Sequence, residues 1–466
     1  MNLYTALATR IRAMIDEGVL RPGEKVFSVR QASKKYNVSV STVIKAYEIL
    51  EQNGVIESHP QSGYFVTHRQ HKTRQPAPSS ENLNLTQVEI VLTTLRSIRE
   101  FGTIPLGSPF PDAQLFPIKK IQQYEKAISG DNAEWGVLND LPPGNESLRQ
   151  QIARRYLDYG IDISPGEIVI THGATEAINL CLQAVAKAGD TIAIESATYF
   201  VLLQMIESLG MKALEIPTDP KTGPSLDALE LALRAGLVQA CLFVPNANNP
   251  LGCVMPEENK KRLAGLLSEF NIPLVEDDVY GDLCFAPQRP WPVKAYDTSG
   301  NVLLCSSFSK AITPASRVGY VLAGRFAQEV ALLKTVSSGA TSHFFQAVLA
   351  DFLEGSSYDQ QLRKMRRTLV QRIARMSDAV AASFPADCML SEPQGGFVLW
   401  VQMPPQIDAL ALHGQAIADG VAYMPGQLFS ASGKFGNYLR LNCGNPWTPR
   451  IEQAIGRLGR LVKDAL

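Results

Sequence analysis

The sequence predicts a multidomain chain with two unlike parts. One is a small head of helices closed by a β-hairpin. The other is a large α/β body with a mostly parallel central sheet and a small C-terminal α+β subdomain. Three observations predict this. Residues 1–66 show helical spacing three times and then two short β-type runs. Residues 67–84 are polar, basic and rich in Pro and Ser, with no periodicity, which marks a flexible linker. From residue 165 onward, short apolar runs alternate with longer amphipathic stretches, the pattern of a sheet covered on both faces. The body spans residues 85–466. Its large part covers about 115–345, and its small part about 346–466 together with the body's N-terminal segment.

Length and composition agree. At roughly 150 residues per domain, 466 residues allow about three domains. Hydrophobic residues make up 45% and charged residues 19%, which excludes disorder as the main state. No stretch of about 18 apolar residues runs unbroken, so no membrane span is expected. The N-terminus carries Arg10 and Arg12 among its apolar positions, unlike a secretion signal. Seven cysteines are scattered singly without metal-ligand spacing. That fits reduced thiols in a cytoplasm and no metal site. Net charge is −1, but residues 1–75 carry +5 and the remainder −6, which points to a polyanion at the head.

In the head, Leu3, Leu7, Ile11, Met14 and Ile15 recur at helical spacing, predicting a helix over 2–17 that Gly18 ends. Residues 30–36 form a second short helix, turned by Asn37. Ser39 is a plausible N-cap for a third helix reaching about Asn53. On it Val43, Tyr47 and Leu50 face inward, and Ser41, Thr42 and Lys45 face out. VIESHPQSGYFV then reads as a two-stranded wing turning at Gly63. Helix, helix-turn-helix and hairpin is the order of a winged helix, whose third helix fits the major groove of DNA.

Residues 21–66 resemble the GntR-type winged helix. The family's Ser-x-Arg is Ser28 and Arg30, its Ser-x-x-Thr-Val is Ser39, Thr42 and Val43, and its Gly-x-Phe-Val wing is Gly63, Phe65 and Val66. The resemblance implies double-stranded DNA as partner, with Ser28, Arg30, Ser39, Ser41, Thr42, Lys45, His59 and Gly63 as candidate contacts. Two departures stand out. Val40 replaces the usual Arg after the first Ser of the recognition helix, and His59-Pro60-Gln61 replaces the first wing glycine.

In the body, EIVITHG, TIAIES, ALEIP, ACLFVPN, PLVEDD, VLLCSSF and VGYVLAG are the candidate strands. Ligands of such sheets sit at the carboxyl ends of the strands. There the sequence places Gly173-Ala174-Thr175 opening a helix, Tyr199, Asn249 before a Pro, Asp277 with Tyr280, and Ser307, Ser309 and Lys310, with Arg317 seven residues on. Any one of these could be structural. The set matches what pyridoxal 5′-phosphate (PLP) requires. Lys310 supplies the amine for its aldehyde, with a basicity lowered by burial and neighbouring cations. Asp277 keeps the pyridine nitrogen protonated. Tyr280 and Asn249 donate to the phenolic oxygen. Gly173, Ala174, Thr175, Ser307, Ser309 and Arg317 hold the phosphate, and Tyr199 stacks on the ring.

NNPLG, EDDVYGD and SSFSKxxxPASRVGY, over roughly residues 105–460, resemble the fold-type I PLP-dependent aminotransferases. That resemblance nominates Arg440, in NYLRLNC, with Asn249, for a substrate carboxylate. It also implies a cis bond at Asn249–Pro250. One departure concerns Asn139, which stands where relatives carry a tyrosine that reaches a neighbouring subunit's cofactor phosphate. Full transamination is the function this departure places in question.

Head and body together resemble the MocR/GabR branch of GntR regulators. The branch implies a homodimeric regulator that senses PLP, an amino-acid-like effector, or both, with each head docked on the opposite subunit. The rival reading is a working aminotransferase carrying a DNA-anchoring head. Lys310, Asp277 and Arg440 serve either, so the sequence leaves both open, as it does the effector, the operator and the sign of regulation.

Overall fold

The computed structural model describes residues 2–16, 20–59, 62–67, 92–93, 96, 103–130, 141–355 and 357–466. The chain divides into two compact units, residues 1–84 and 85–466. Most of the expected linker lies outside the described residues, as do Asn139 and the wing residues Pro60 and Gln61.

The head forms α1 (Leu3–Asp16), α2 (Val29–Tyr36), α3 (Val40–Gln52), β1 (Ile56–His59) and β2 (Gly63–Val66). Local chemistry sets the boundaries. Ser28 and Gln31 make a reciprocal capping box at the start of α2, and Asn37 ends it in the left-handed region at φ 50°. The Ser39 hydroxyl accepts the Thr42 N–H at 3.2 Å and starts α3. Antiparallel pairing runs from Ile56 opposite Val66 to His59 opposite Gly63. Leu7, Ile11, Val43, Ala46, Tyr47, Leu50, Ile56 and Val66 form the core. The buried Tyr47 hydroxyl is satisfied by donating to the Phe27 carbonyl at 2.6 Å. Leu3 obeys the helical period yet stays exposed, because the helix begins beyond the edge of this core.

In the body, β3 is Ile104–Pro105. The central strands are β4 (Ile168–Thr171), β5 (Thr191–Ser196), β6 (Lys212–Asp219), β7 (Gly223–Pro224), β8 (Ala240–Phe243), β9 (Leu274–Asp277), β10 (Val302–Ser307) and β11 (Gly319–Leu322). Their order is β4-β11-β10-β9-β8-β5-β6-β7. β10 to β6 run parallel. β11 is antiparallel to both its neighbours, and β7 is antiparallel to β6. β8 and β9 are buried at every position; β8 reads as a continuous apolar run, whereas β9 is apolar only at Leu274 and Val275 and ends in the buried acids Glu276 and Asp277.

A second sheet holds β12 (Met389–Leu390), β13 (Val398–Gln402), β15 (Met424–Pro425) and β16 (Tyr438–Asn442), all antiparallel. Between them in sequence, β14 (Val421–Ala422) pairs with β3. The helix Ser357–Ser383 joins the two cores. Leu362, Met365 and Leu369 pack with the large sheet's cluster, and Ile373, Met376 and Val380 with the small one's. The seam thus falls inside this helix, past the 345–346 point read from sequence. An unbroken amphipathic helix carries no punctuation where it changes partner.

One expectation is corrected. The Asn249–Pro250 bond is trans; the cis bonds among the described residues are Pro142–Pro143 and Ser196–Ala197. The Asn248–Gly252 turn closes on itself with trans geometry. Its Gly252 N–H reaches the Asn248 carbonyl, and its Leu251 N–H reaches the Asn248 side chain.

Leu50→Ala removes a buried anchor of the head and lowers its stability by about 2–5 kcal/mol. Urea titration followed by far-UV circular dichroism then shows an earlier partial transition. Emission from the tryptophans (135, 291, 400 and 447, none in the head) keeps the wild-type midpoint.

Candidate functional site

Loops at the carboxyl ends of the central strands enclose a cavity of about 150 Å³. Ala174, Thr175, Tyr199, Asn249 and Asp277 line it, as do Tyr280, Ser307, Ser309, Lys310 and Arg317. Residues up to 143 positions apart therefore converge as the strand-end reading expected. Gly173 precedes the lining residue Ala174, and the Arg440 charge acts on the lining residues Lys310, Tyr199 and Tyr280.

The expected anion cradle is formed by β4 and the helix Ala174–Val185. Gly173 is its N-cap at φ 91° and makes no side-chain cap, so the first amides stay open. The Arg317 guanidinium donates to the His172 carbonyl at 3.1 Å. It also lies 3.1 Å from where a Gly173 Cβ would sit, so only glycine admits it at this distance. Gly319 on β11 is more tightly constrained: its Cβ would stand 2.5 Å from the Gly173 carbonyl carbon, which is backbone. Behind the cradle, Glu176 accepts from the His172 N–H, the Ser338 hydroxyl and Lys334. These donors hold its carboxyl down to about 2 despite burial. The chain that carries the His172 carbonyl is thereby fixed.

Asp277 ends β9. Its carboxylate accepts the Val279 N–H at 3.1 Å, and burial with few donors pushes its pKa up to about 7. The following turn is anchored from below. Arg289 pairs with Asp278 and, at 2.8 Å, with Asp282, and the Tyr358 hydroxyl donates to Asp282 at 2.6 Å. This fixes Tyr280, which packs edge-on against Phe397 with centroids 5.6 Å apart.

Lys310 follows β10. Its Nζ donates to the Pro109 carbonyl at 2.6 Å and lies 4.0 Å from the Phe110 ring centroid. Burial lowers its pKa to about 7; the charges of Arg440 and Arg317 push the same way, and Asp277 opposes them. Arg440, on β16, is fully buried. Its Nη2 donates to the Gly107 and Ser108 carbonyls, while Nε and Nη1 have no partner. The Asn249 Oδ1 and Ser309 Oγ are also buried without partners. Sequence reasoning missed the strap Gly107–Phe110, which contacts both Lys310 and Arg440 through main-chain carbonyls. Main-chain acceptors leave no signature in residue type.

The head's candidate contacts divide. Arg30, Ser41 and Lys45 are exposed. Lys45 leans on the Tyr4 ring, 5.0 Å from its centroid. Ser28 and Ser39 serve as N-caps, and the Thr42 hydroxyl is tied to Ser39 at 2.8 Å. His59 packs against Phe65 with tilted rings, centroids 4.6 Å apart, and contacts Glu57 at 3.1 Å. Gly63 turns the wing at φ 99°, with Lys25 packed against it. Lys25 was not foreseen; an isolated bridge to Phe65 brings it to the wing.

Residues 110–458 match the family model described as aminotransferase class I and II, and residues 3–66 that of bacterial regulatory proteins of the gntR family. The uncharacterized HTH-type transcriptional regulator YdcR of Escherichia coli is 38% identical, covering 100% of both chains. The chain belongs to the MocR-type branch of the GntR regulators. Kynurenine aminotransferase of Pyrococcus horikoshii superposes at a TM-score of 0.75 with 27% identity, over 84% of this chain and 98% of its own. LysN, the α-aminoadipate aminotransferase of Thermus thermophilus, gives 0.72 with 26% identity, over 82% and 99%. This MocR-type chain is thus a DNA-binding regulator whose body has the fold and cofactor class of PLP-dependent aminotransferases. Among the described residues, no helix is long and apolar enough to cross a membrane and no side-chain cluster fits a metal ion.

If Lys310 takes the cofactor's aldehyde, as the sequence reading expects, its lowered basicity predicts the pH dependence of capture. Its amine is charged and inert below about pH 7 and free above it. Capture of PLP by cofactor-free protein, followed by visible absorbance, therefore accelerates between pH 6 and 8 and levels off. An ordinary lysine would need a pH near 10. Lys310→Ala gives no visible band at any pH and an unchanged circular dichroism spectrum.

Proposed function

We propose that the body of this MocR-type regulator binds PLP through Lys310, Asp277, Tyr280, Asn249, Tyr199, Arg317 and the Gly173–Thr175 cradle. An amino-acid-like effector then acts on the same site. The observation that carries this is that two residues lining one cavity hold buried, unpartnered polar atoms, Asn249 Oδ1 and Ser309 Oγ, while Arg440 Nε and Nη1 are likewise unpartnered near Tyr199 and Tyr280 of the same lining. Buried groups are nearly always satisfied, so a cluster of orphans facing one space marks a missing partner. When bound, PLP supplies an aldehyde for an amine and a ring that withdraws electrons.

The protein's own groups suit that partner. Asp277 is a buried carboxylate with a raised pKa and no cation bonded to it. A protonated ring nitrogen placed beside it would return it to the ionised form. Arg317 and the open helix amides suit a phosphate dianion. Ser309 and Ser307 add hydroxyls at the same end of β10. Arg440 offers a planar fork, the geometry of a carboxylate. An effector carboxylate there would replace the Gly107 and Ser108 carbonyls as its partner, and so displace the strap that also holds Lys310. A homodimer with the second subunit near the phosphate is the assembly the family suggests.

A regulator rather than a resident enzyme is supported by full-length relatives such as YdcR, which share both parts. Two measurements on PLP-loaded protein test the reading. Amino acids titrated with and without bound promoter DNA should shift each other's affinity by equal factors. With an oxo acid present, the protein should complete no sustained cycles. Unchanged affinity in both directions, or steady turnover at about 1 s⁻¹ or faster, sinks the proposal. Arg440→Lys loses the fork but keeps the charge, and weakens the effector response about 10–100-fold without altering PLP absorbance.

A further inference from the structure

The outward face of α3 carries two exposed aliphatic residues one helical turn apart, Val40 (47% exposed) and Ile44 (40%). The core does not need them, because Val43, Ala46, Tyr47 and Leu50 already fill the inward face. Ser41 and Lys45 stand beside them, also exposed, and Glu48 occupies the next turn of the same face. The helix thus presents an apolar pair near its N-terminus, a cation beside it and an acid beyond. Phosphates are attracted to its first half and repelled from its second.

We infer that Val40 and Ile44 select thymine by packing on its C5 methyl group in the major groove. The inference rests on the reading of the head as a DNA-binding module and specifies what it reads. An aliphatic side chain cannot answer the hydrogen-bonding edge of any base. The one apolar feature of the major groove is the thymine methyl. A polar or cationic residue at position 40 would favour purine acceptors, and Val40 removes that option. Four residues of helix rise about 6 Å, against about 3.4 Å per base step, so the pair spans about two base steps. The occupant is fixed by charge: the +5 of residues 1–75 and the exposed Arg30, Lys34 and Lys35 on α2 favour a polyanion over a second apolar surface.

The test uses the full-length PLP-loaded protein and a random-sequence duplex pool. Sequences enriched by binding are remade with single thymines replaced by deoxyuracil, which removes the methyl and nothing else. At least one thymine in each half-site should lose about four-fold in affinity on replacement, the worth of one buried methyl group. Val40→Ala or Ile44→Ala should bind the thymine and uracil forms equally at that position. Alanine favours the helix and the site is exposed, so folding is preserved. Arg30→Ala should weaken both forms alike. Enriched sequences that tolerate every uracil, or a Val40→Ala/Ile44→Ala double variant that keeps the wild-type thymine preference, overturn the inference while leaving DNA binding intact. Failure to enrich any sequence would instead remove the DNA-binding reading itself. Loss of self-association in Val40→Ala with unchanged base preference would assign the pair to a protein contact and overturn the inference too.

Discussion

The body depends on keeping two cations, Lys310 and Arg440, out of water beside a single carboxylate, Asp277. Charges buried in this way are costly unless paired. Here the pairing is incomplete. Lys310 and Arg440 lean on main-chain carbonyls of the Gly107–Phe110 strap, and Asp277 accepts the Val279 amide. The cost shows in the shifts: the lysine falls to about 7, and the aspartate rises to about 7. A site that is poorly satisfied alone and chemically matched to a dianionic, aldehyde-bearing ring is built to be completed.

The rest of the body holds these groups against that cost. Arg289, Asp278, Asp282 and Tyr358 form a closed buried network under the turn that carries Asp277 and Tyr280. Glu176, Lys334 and Ser338 do the same beneath His172 and Arg317. These networks are well satisfied where the cavity is not. The contrast separates scaffold from site. Between large and small cores, the Ser357–Ser383 helix and the Glu215 carboxylate give continuity. Glu215 gathers the Ser430 and Ser432 hydroxyls and the Lys434 ammonium, the last at 2.9 Å. Movement of the small core is therefore opposed by named contacts rather than by bulk packing alone.

Much of this was legible in residue order because the determining interactions are local. Ser28, Ser39 and Asn37 mark helix ends through bonds within three to five residues. β8 announces itself as a buried strand by an unbroken apolar run. Lys310 and Asp277 sit at the carboxyl ends of parallel strands, which share one side, and Arg317 precedes β11, whose antiparallel run puts its start on that same side. Less was visible where the partner is remote or is main chain. The strap carbonyls at Gly107–Pro109 could not be inferred from their side chains. Nor could the trans geometry of Asn249–Pro250, which belongs to a particular turn rather than to the dipeptide. Ser28 and Ser39 carry a second role that residue type alone did not separate, since the oxygen of each hydroxyl also accepts a helix amide as an N-cap.

By itself the sequence determined the element types, their order, the winged head and the identity of the groups that could handle a cofactor. All of these follow from periodicity, capping and residue chemistry within short windows. Tertiary structure alone decided which polar atoms end up buried without partners, and that the strap rather than solvent meets Lys310 and Arg440. It also decided that Val40 and Ile44 remain on the outside of a head whose core is already full. Burial is a property of the packed whole: it depends on what every other element covers, and no local window of residues contains that information.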